Sequence, residues 1–555
     1  MAYKSRAATT PHHAHRISHS DYDHMPASTM LSDVISTSHG PIRGFHGGGM
    51  RQWLGMPFAS PPLGELRWRP PVEPEPWTKA LPAMAFGPIC AQEEGSFPGF
   101  GHNSFSEDCL YLNVYAPLST QCNAPLPVMV WIHGGGLFQG SSSDYDPSAL
   151  VKEGKVIFVS FNYRVNLFGF FSHPAINQEK HDRGNYGIMD QQAALRWVQR
   201  NIDRFGGDSN NVTIFGESAG AISVAAHIAS PASTGLFHKA IIQSGGSPIS
   251  FPHPSVESFE DTGVALAAAA NCIDQSPAGL RALSAAQLLT ANSVPNGEFG
   301  TTRFPFGLME DGAIIPRNLR QQFLDGSFNK TPLMIGVTKD EFSWFQGMIE
   351  LATDLTISQE AYPAILRHSI DGASKGGFLG VEVPPTAFDS ILERYPLSDY
   401  PHPARAVAAA IGDAGIIATS GRRSARVIKK FVPTVFAYEF DVKDAPVSWP
   451  QVSFQYGSAH AQELQFLFRG FHGASGVARP LSEEQQELSS RMVSYWTNFA
   501  RTGSPNSGNT QPILPLWPEY EAAEDNIMLL EAPQPRSVSG WGQRHHMDFW
   551  DSFYR

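Results

Sequence analysis

Short apolar runs recur along the chain, each bounded by Gly, Pro or Asn. They are rich in β-branched or aromatic residues, and we interpret them as strands buried on both faces. They are Val128–His133, Val156–Tyr163, Val212–Phe215, Lys239–Gln243, Pro332–Thr338 and Thr434–Phe440. Met189–Ile202 differs, because its apolar residues recur at spacings of three and four, which predicts an amphipathic helix. This alternation predicts an α/β fold with a large, mostly parallel sheet covered by helices.

Two long stretches, Pro252–Arg320 and Met348–Arg423, have the pattern of helix and loop. Insertions of this kind commonly lie over the carboxyl ends of the strands, so we expect them to shape a binding cleft. Residues 1–30 are polar and rich in histidine, which predicts a disordered leader. No linker, repeat or change of composition interrupts the remainder, so residues 31–555 are predicted to form a single domain.

Composition narrows the classes of partner. The 555 residues carry 40 Lys and Arg against 52 Asp and Glu, a net charge of −12, which disfavours binding to nucleic acid or to an anionic membrane. No run approaches the roughly 18 apolar residues of a membrane-spanning helix. No secretion signal is evident, so we expect a cytoplasmic location. Four cysteines without CxxC spacing indicate neither a disulfide scaffold nor a metal site. The oligomeric state stays open.

The pattern G-x-S-x-G, typical of a serine nucleophile, occurs at Gly216–Gly220 and again at Gly372–Gly376. The first match follows an apolar strand and precedes a run of small residues suited to a helix, which is the strand-to-helix turn that exposes such a serine. The second match lies in a polar, glycine-rich stretch with no strand before it. Ser218 is therefore the predicted nucleophile, and Ser374 is a chance match.

A second motif, His133-Gly134-Gly135-Gly136, directly follows the predicted strand Val128–His133. Consecutive glycines let backbone N–H groups turn toward a ligand, because no Cβ obstructs them. Such a run pairs with the nucleophile turn to form an oxyanion hole, in which the residue after the serine also donates. We expect the N–H groups of Gly135, Gly136 and Ala219 to be the donors.

The chain resembles the type-B carboxylesterase/lipase family, which has the α/β-hydrolase fold and includes cholinesterases and fungal lipases. The resemblance covers nearly everything after about Asp33. Besides the two motifs above, it rests on Gly55–Ala59 with Pro61–Arg67, on Ser106–Asn113, on Asn185–Gln191, and on Asn201–Ile202 with Phe205–Asp208. It implies a serine carboxylic ester hydrolase, which acts on a small-molecule ester and needs no cofactor or metal.

The acid and the base follow the serine in this fold, in that order. The segment after Pro332–Thr338 contains both Asp340 and Glu341, and the residues alone do not exclude either; the resemblance implies Glu341. It likewise implies His460 as the base, although Ala461 stands where the family usually has Gly. The other downstream histidines lie in helix-like, loop or terminal segments: His368, His402, His472, His545 and His546.

The resemblance also implies a disulfide between Cys90 and Cys109, although a cytoplasmic location would favour reduced thiols. The loop between them contains no Trp, whereas cholinesterases carry one there to bind a quaternary ammonium, so a choline esterase is disfavoured. An acyltransferase or lactone-forming enzyme using the same acyl-enzyme stays open as an alternative. A non-catalytic binding module is disfavoured, because Ser218, Glu341 and His460 are all present.

Overall fold

A computed structural model describes residues 30–93, 101–118, 124–246, 249, 253–296, 300–302, 307–375, 379, 382–471, 473, 479–506 and 513–554. Residues 1–29 of the predicted leader lie outside these ranges, and Met30 begins the first strand. The strands are β1 (Met30–Ser36), β2 (Pro41–Gly47), β3 (Met50–Pro57), β4 (Leu81–Pro82), β5 (Tyr111–Pro117), β6 (Leu126–Ile132), β7 (Ile157–Phe161), β8 (Phe170–Phe171), β9 (Gly184–Asn185), β10 (Gly207–Glu217), β11 (Lys239–Gln243), β12 (Ser293–Asn296), β13 (Gly300–Thr302), β14 (Leu333–Thr338), β15 (Val435–Phe440), β16 (Ile527–Leu530) and β17 (Arg536–Val538).

The α-helices lie mostly between the strands of the sheet. They are α1 (Ser148–Lys152), α2 (Asn166–Gly169), α3 (Pro174–Asn177), α4 (Tyr186–Asn201), α5 (Ala219–Ala229), α6 (Glu260–Ala269), α7 (Pro277–Ala282), α8 (Ala285–Asn292), α9 (Leu319–Asp325), α10 (Phe342–Thr353), α11 (Tyr362–Lys375), α12 (Phe388–Arg394), α13 (Pro403–Gly412), α14 (Ser424–Lys429), α15 (Leu464–Leu467), α16 (Glu483–Thr502), α17 (Trp541–Arg544) and α18 (Met547–Trp550). A π-helix, Asp413–Arg423, continues directly from α13 into α14.

Among the described residues, one 13-stranded sheet organises the molecule, in the order β1-β2-β3-β5-β7-β6-β10-β11-β14-β15-β16-β17, with β4 beside β2. Within this order, every neighbouring pair in the central run β7-β6-β10-β11-β14-β15-β16 is parallel. The outer strands β1, β2, β3 and β5 pair antiparallel at one side, and β17 does so at the other. The predicted α/β fold, an α/β-hydrolase sheet flanked by helices, is confirmed.

Helices cover both faces of the sheet, which explains the continuous apolar runs of the sequence. In β6, Val128, Val130 and Ile132 pack into one apolar cluster, whereas Met129 and Trp131 pack into a second cluster on the other face. Successive side chains point to opposite faces of a strand, so residues 128–132 of β6 enter the two cores alternately. The sheet is therefore a rigid, buried platform for whatever its carboxyl ends carry.

The connections leave β6 and β10 in opposite directions, since β6 leads to β7 on one side and β10 leads to β11 on the other. Loops that part in this way open a crevice at the carboxyl ends of the strands. The glycine run follows β6 and Ser218 follows β10, and the two strands are in register, with Ile132 opposite Gly216. The topology thus brings the two sequence motifs side by side.

The six predicted strands correspond to β6, β7, β10, β11, β14 and β15, and the predicted helix corresponds to α4, which begins three residues earlier than expected. The first insertion holds α6 to α8 and the start of α9, but it also contains the antiparallel pair β12–β13, which the sequence did not predict. The second insertion holds α11 to α13 and the π-helix. No helix in the described ranges combines the length and apolar character that crossing a membrane requires.

Candidate active site

Ser218 occupies the turn between β10 and α5, as the pattern of the sequence predicts. Its backbone has φ +56° and ψ −122°, a conformation that is sparsely populated for residues with a side chain and costs about 1–3 kcal/mol. The turn is held on both sides, because the Ser218 N–H donates to Gln243 O at 2.9 Å and the Ser218 carbonyl accepts from Ile222 N at 2.9 Å. The strained backbone is thus fixed by its neighbours, with the serine at the tip.

The two glycines of this motif are required by close backbone contacts. A Cβ at Gly216 would lie 2.5 Å from the carbonyl carbon of Gly220, and a Cβ at Gly220 would lie 2.0 Å from Ile132 O. The second match differs, because Ser374 lies in α11 and its Oγ accepts from Val383 N at 3.0 Å. A Cβ at Gly372 would meet nothing within 4 Å. Only the Ser218 match has the geometry of a nucleophile turn.

The glycine run of residues 134–136 forms a tight loop directly above Ser218. Gly135 and Gly136 have φ values of +107° and +68°, which residues with a side chain rarely adopt. A Cβ at Gly134 would lie 3.4 Å from the Cβ of Ser218, so the loop and the serine are neighbours. The loop is anchored by His133, whose buried ring stacks on Tyr163 with centroids 4.3 Å apart. Backbone N–H groups of this loop therefore lie close to the serine.

Glu341 and His460 come together although 119 positions separate them. Glu341 follows the end of β14 and is fully buried at the start of α10. One of its carboxylate oxygens, Oε1, accepts from Thr338 N at 2.8 Å, and the other, Oε2, lies 2.6 Å from His460 Nδ1. Because a carboxylate can only accept, Nδ1 carries the proton in this bond. Nε2, on the opposite side of the ring, is left as the atom that can take up a proton.

Two further buried carboxyl groups surround His460, and the sequence assigned no role to either. Glu217 precedes Ser218, and its Oε1 lies 3.1 Å from His460 Nε2. Glu463 accepts from Gln243 Nε2 at 3.1 Å, and the carbonyl oxygen of that glutamine in turn accepts from Trp496 Nε1. Glu217 stands inside the first G-x-S-x-G match and Glu463 lies three residues after His460, but only the fold shows that both influence the same imidazole.

Three carboxyl groups, those of Glu217, Glu341 and Glu463, act electrostatically on the imidazole of His460. Burial raises the pKa of Glu217 and of Glu463, because a buried carboxylate loses its hydration. Burial alone would lower the pKa of His460, but the charges of Glu217 and Glu341 and the hydrogen bond that His460 donates to Glu341 outweigh it and raise that pKa. The imidazole is therefore more basic than an isolated histidine.

Aromatic side chains line the other side of the imidazole. Phe345 and Trp344, both on α10, have ring centroids 5.2 Å and 6.1 Å from that of His460. Trp449 lies beyond, 6.1 Å from the Trp344 ring. Because α10 begins directly after Glu341, the same turn of chain supplies both the carboxylate and this apolar wall. The surroundings of His460 are thus acidic on one side and aromatic on the other.

Of the four cysteines, Cys90 and Cys109 form a disulfide with Cα atoms 4.9 Å apart. Part of the loop that they close, residues 94–100, lies outside the described ranges, as does Cys122. Cys272 is a buried thiol. Cys109 is completely buried and directly precedes Leu110 and β5, so the disulfide joins the loop to the core of the sheet.

Comparison with known proteins places this architecture in a family. Residues 31–550 match the family model described as "Carboxylesterase family". The chain is 34% identical over 508 residues to the acylcarnitine hydrolase of Mus musculus, covering 87% of this chain and 83% of that protein. It is 34% identical over 532 residues to the cocaine esterase of Homo sapiens, covering 90% and 87% respectively. It is also 34% identical over 561 residues to liver carboxylesterase 1 of Mus musculus, covering 94% and 93%.

The match extends from β1 to β17 and includes both motifs and the segments that contain Glu341 and His460. It agrees with the resemblance that the motifs indicate and with the observed topology. The chain belongs to the carboxylesterase family and is a serine carboxylic ester hydrolase.

Proposed function

We propose that Ser218, Glu341 and His460 are the catalytic residues of this hydrolase. The observation that carries the proposal is the 2.6 Å contact between His460 Nδ1 and Glu341 Oε2, at the carboxyl ends of the strands, where Ser218 occupies its strained turn. Ser218 Oγ attacks the ester carbonyl while His460 Nε2 takes its proton, and Glu341 orients and stabilises the imidazolium. The imidazolium then protonates the leaving alcohol, and a water activated by His460 releases the acid.

Gly135, Gly136 and Ala219 supply the N–H groups that stabilise the oxyanion in this proposal. The positive φ values of the two glycines and the closeness of Gly134 to Ser218 support it. Ala219 is the first residue of α5, so its N–H is one of the free donors at a helix N-terminus. Each such donor contributes roughly 3 kcal/mol of transition-state stabilisation.

Small-molecule esters with an apolar group next to the scissile bond are the proposed substrates. The aromatic wall of Trp344, Phe345 and Trp449 beside His460 supports this class, because it offers apolar contacts and few hydrogen-bond partners. The similarity to an acylcarnitine hydrolase and a cocaine esterase is consistent with it, since these names refer to small-molecule substrates. Transfer of the acyl group to an alcohol would use the same acyl-enzyme.

The test compares wild type with Ser218→Ala and Ser374→Ala on p-nitrophenyl esters from acetate to palmitate. Ser218→Ala is expected to lower kcat by roughly a millionfold, as loss of a serine nucleophile does, while Ser374→Ala stays near wild type. The matched pair is informative because both serines stand in the same sequence pattern. Loss of activity in Ser374→Ala with an active Ser218→Ala would refute the assignment. Added alcohol separates hydrolysis from transfer by the products.

The extent of the domain and the location are further proposals. One sheet runs from Met30 to Val538, which supports a single domain over residues 31–555. The cytoplasmic location expected from the sequence stays a prediction, and the disulfide between Cys90 and Cys109 weighs against it, because disulfides persist mainly in oxidising compartments. Alkylation under denaturing, non-reducing conditions followed by mass spectrometry tests the disulfide: if Cys90 and Cys109, 19 positions apart, are bonded, both stay unmodified, whereas reduced thiols are alkylated.

A further inference from the structure

Asp340, the acidic residue next to Glu341, forms two hydrogen bonds with the backbone just before His460. Its N–H donates to Ser458 O at 2.9 Å, and its Oδ2 accepts from Ser458 N at 2.9 Å. Ser458 lies only two residues before His460, so these paired bonds fix the backbone from which the imidazole projects. Two consecutive acidic residues therefore hold the histidine segment at two points, one at the ring and one at the backbone.

Arg405, on α13, completes this contact. Its Nη2 lies 2.5 Å from Asp340 Oδ1, and its Nη1 donates to Gln455 O at 2.8 Å. Between these bonds the chain passes through Gly457 with φ +69°, where a Cβ would lie 2.3 Å from Asp340 Oδ2 and 2.4 Å from Arg405 Nη1. The ion pair and the backbone of residues 455–458 thus fit together without space for any larger residue.

The segment after the histidine is held by a separate group. Gln462 accepts from Ala459 N at 2.9 Å through Oε1 and donates to Ala445 O at 2.8 Å through Nε2. His460 is therefore bracketed, with Gln462 on one side and the Asp340–Arg405 pair on the other. Of these anchors only the pair is charged, and its side chains are 16% and 14% exposed, so it is partly shielded from water.

We infer that Asp340, held by Arg405, is a positioning residue that sets the place of His460 Nε2 relative to Ser218. The inference rests on the proposed function, and it gives the two adjacent carboxylates different tasks. The bond that Nδ1 donates to Glu341 fixes that ring nitrogen but not the backbone from which the ring projects. The bonds that Asp340 makes with Ser458 fix that backbone. A displacement of about 1 Å in such a group can lower the rate about 100-fold.

If the Asp340–Arg405 pair were only a structural cross-link, its removal would lower stability without a selective effect on kcat. The test therefore separates a positioning role from a structural one. Asp340→Ala removes every side-chain bond, whereas Asp340→Asn keeps an oxygen for the N–H of Ser458. The matched control is Glu179→Ala: Glu179 is also 16% exposed, and it pairs with Arg281 at 2.6 Å, away from the motifs of the site. Urea midpoints are measured alongside kcat and KM for a p-nitrophenyl ester.

Asp340→Ala is expected to lower kcat about 10- to 100-fold with KM within about 2-fold of wild type, because the Asp340–Arg405 pair does not take part in substrate binding. Asp340→Asn is expected to recover most of this loss, and Glu179→Ala to keep kcat within about 2-fold although it removes contacts to Arg281, Arg69 and His181. Addition of Arg405→Met to Asp340→Ala is expected to lower kcat by less than the product of the two single effects, because both variants break the same ion pair and Arg405→Met adds only the loss of its bond to Gln455 O.

A second readout is the rate at which a small phosphonate ester labels Ser218, since labelling needs the base but no turnover. If wild type neither hydrolyses the ester nor is labelled at Ser218, the proposed function is refuted, and this inference is refuted with it. If wild type does both and Asp340→Ala matches it in kcat and labelling, the proposed function stands and only the positioning role is overturned. An equal fall of kcat in Glu179→Ala would also overturn it.

Discussion

A buried imidazole remote in sequence from the site, that of His545, makes a strong prediction about stability. Its Nδ1 lies 2.7 Å from Asp413 Oδ1, on the π-helix, and its Nε2 lies 2.6 Å from Glu439 Oε2, on β15. An ionised carboxylate can only accept, so with Asp413 and Glu439 both ionised the two ring nitrogens are protonated and the ring is cationic. Tyr395 and Arg544 bond the same two carboxylates, which leaves the network well satisfied.

The magnitude follows from the pKa of His545. Burial alone would lower this pKa, but the charges of Glu439 and Asp413 and their hydrogen bonds outweigh it and raise it from 6.5 to about 10. At about 1.4 kcal/mol per pKa unit, this shift corresponds to about 5 kcal/mol of folding free energy. Because the folded pKa is raised, the stabilisation is fully present below about pH 6.5 and is lost as pH rises toward 10.

The perturbation is His545→Gln, which cannot carry the charge and leaves two buried carboxylates without their cation. We expect it to lower the free energy of unfolding by about 3–5 kcal/mol at pH 6.5. Wild type should lose stability steadily from pH 6.5 to 9.5, and the variant should lose much less over the same range. The assay is urea unfolding followed by tryptophan fluorescence at fixed ionic strength. His546→Asn is the control, since the ring of His546 packs against Tyr395 with centroids 5.0 Å apart and does not bridge the two carboxylates. Equal pH dependence in wild type and His545→Gln would refute the reasoning.

Two further predictions concern the site. Glu217→Gln removes one of the carboxyl groups that raise the pKa of His460. The acid limb of the kcat/KM profile, expected above pH 6.5 in wild type, should therefore move to lower pH in the variant. An unmoved limb would mean that Glu217 does not influence the base. Gly216→Ala and Gly372→Ala change the same position of the two G-x-S-x-G matches, yet only the first would place a methyl group against backbone atoms. We expect Gly216→Ala to lose activity and at least about 2 kcal/mol of stability. Gly372→Ala, at an exposed helix position, should be neutral or stabilising by up to about 1 kcal/mol. Thermal unfolding and ester hydrolysis measure both variants, and similar losses in the two would contradict the argument.

The parts of the fold that sequence predicts best are those with a local signal. The parallel strands were evident because burial on both faces makes them continuously apolar, and the Ser218 turn was evident because its small residues are adjacent in sequence. The antiparallel strands were missed for an equally physical reason. In β3 the register shifts between Trp53 and Met56, so its buried residues do not alternate as a regular half-buried strand would require.

The candidate site was predicted only as far as its motifs extend. Ser218 and the glycine run were predicted from local patterns, and the resemblance to a family supplied Glu341 and His460. The proximity of Glu217 and Glu463 to the imidazole depends on how β10 and the histidine segment meet, which no local pattern encodes. The same holds for His545, which the sequence placed in a terminal segment and the structure buries between residues 132 and 106 positions away.

The bond between Glu341 and His460 also has a consequence for how the protein acquires its activity. The two residues are 119 positions apart, and the related contact between Gln243 and Glu463 spans 220. Contacts of such separation form late in folding, because their loop-closure entropy is recovered only after the intervening strands have docked. Secondary structure and much of the core can therefore be present in a chain that does not yet turn over substrate. Regain of esterase activity reports the last stage of refolding, when the sheet has brought the distant segments together.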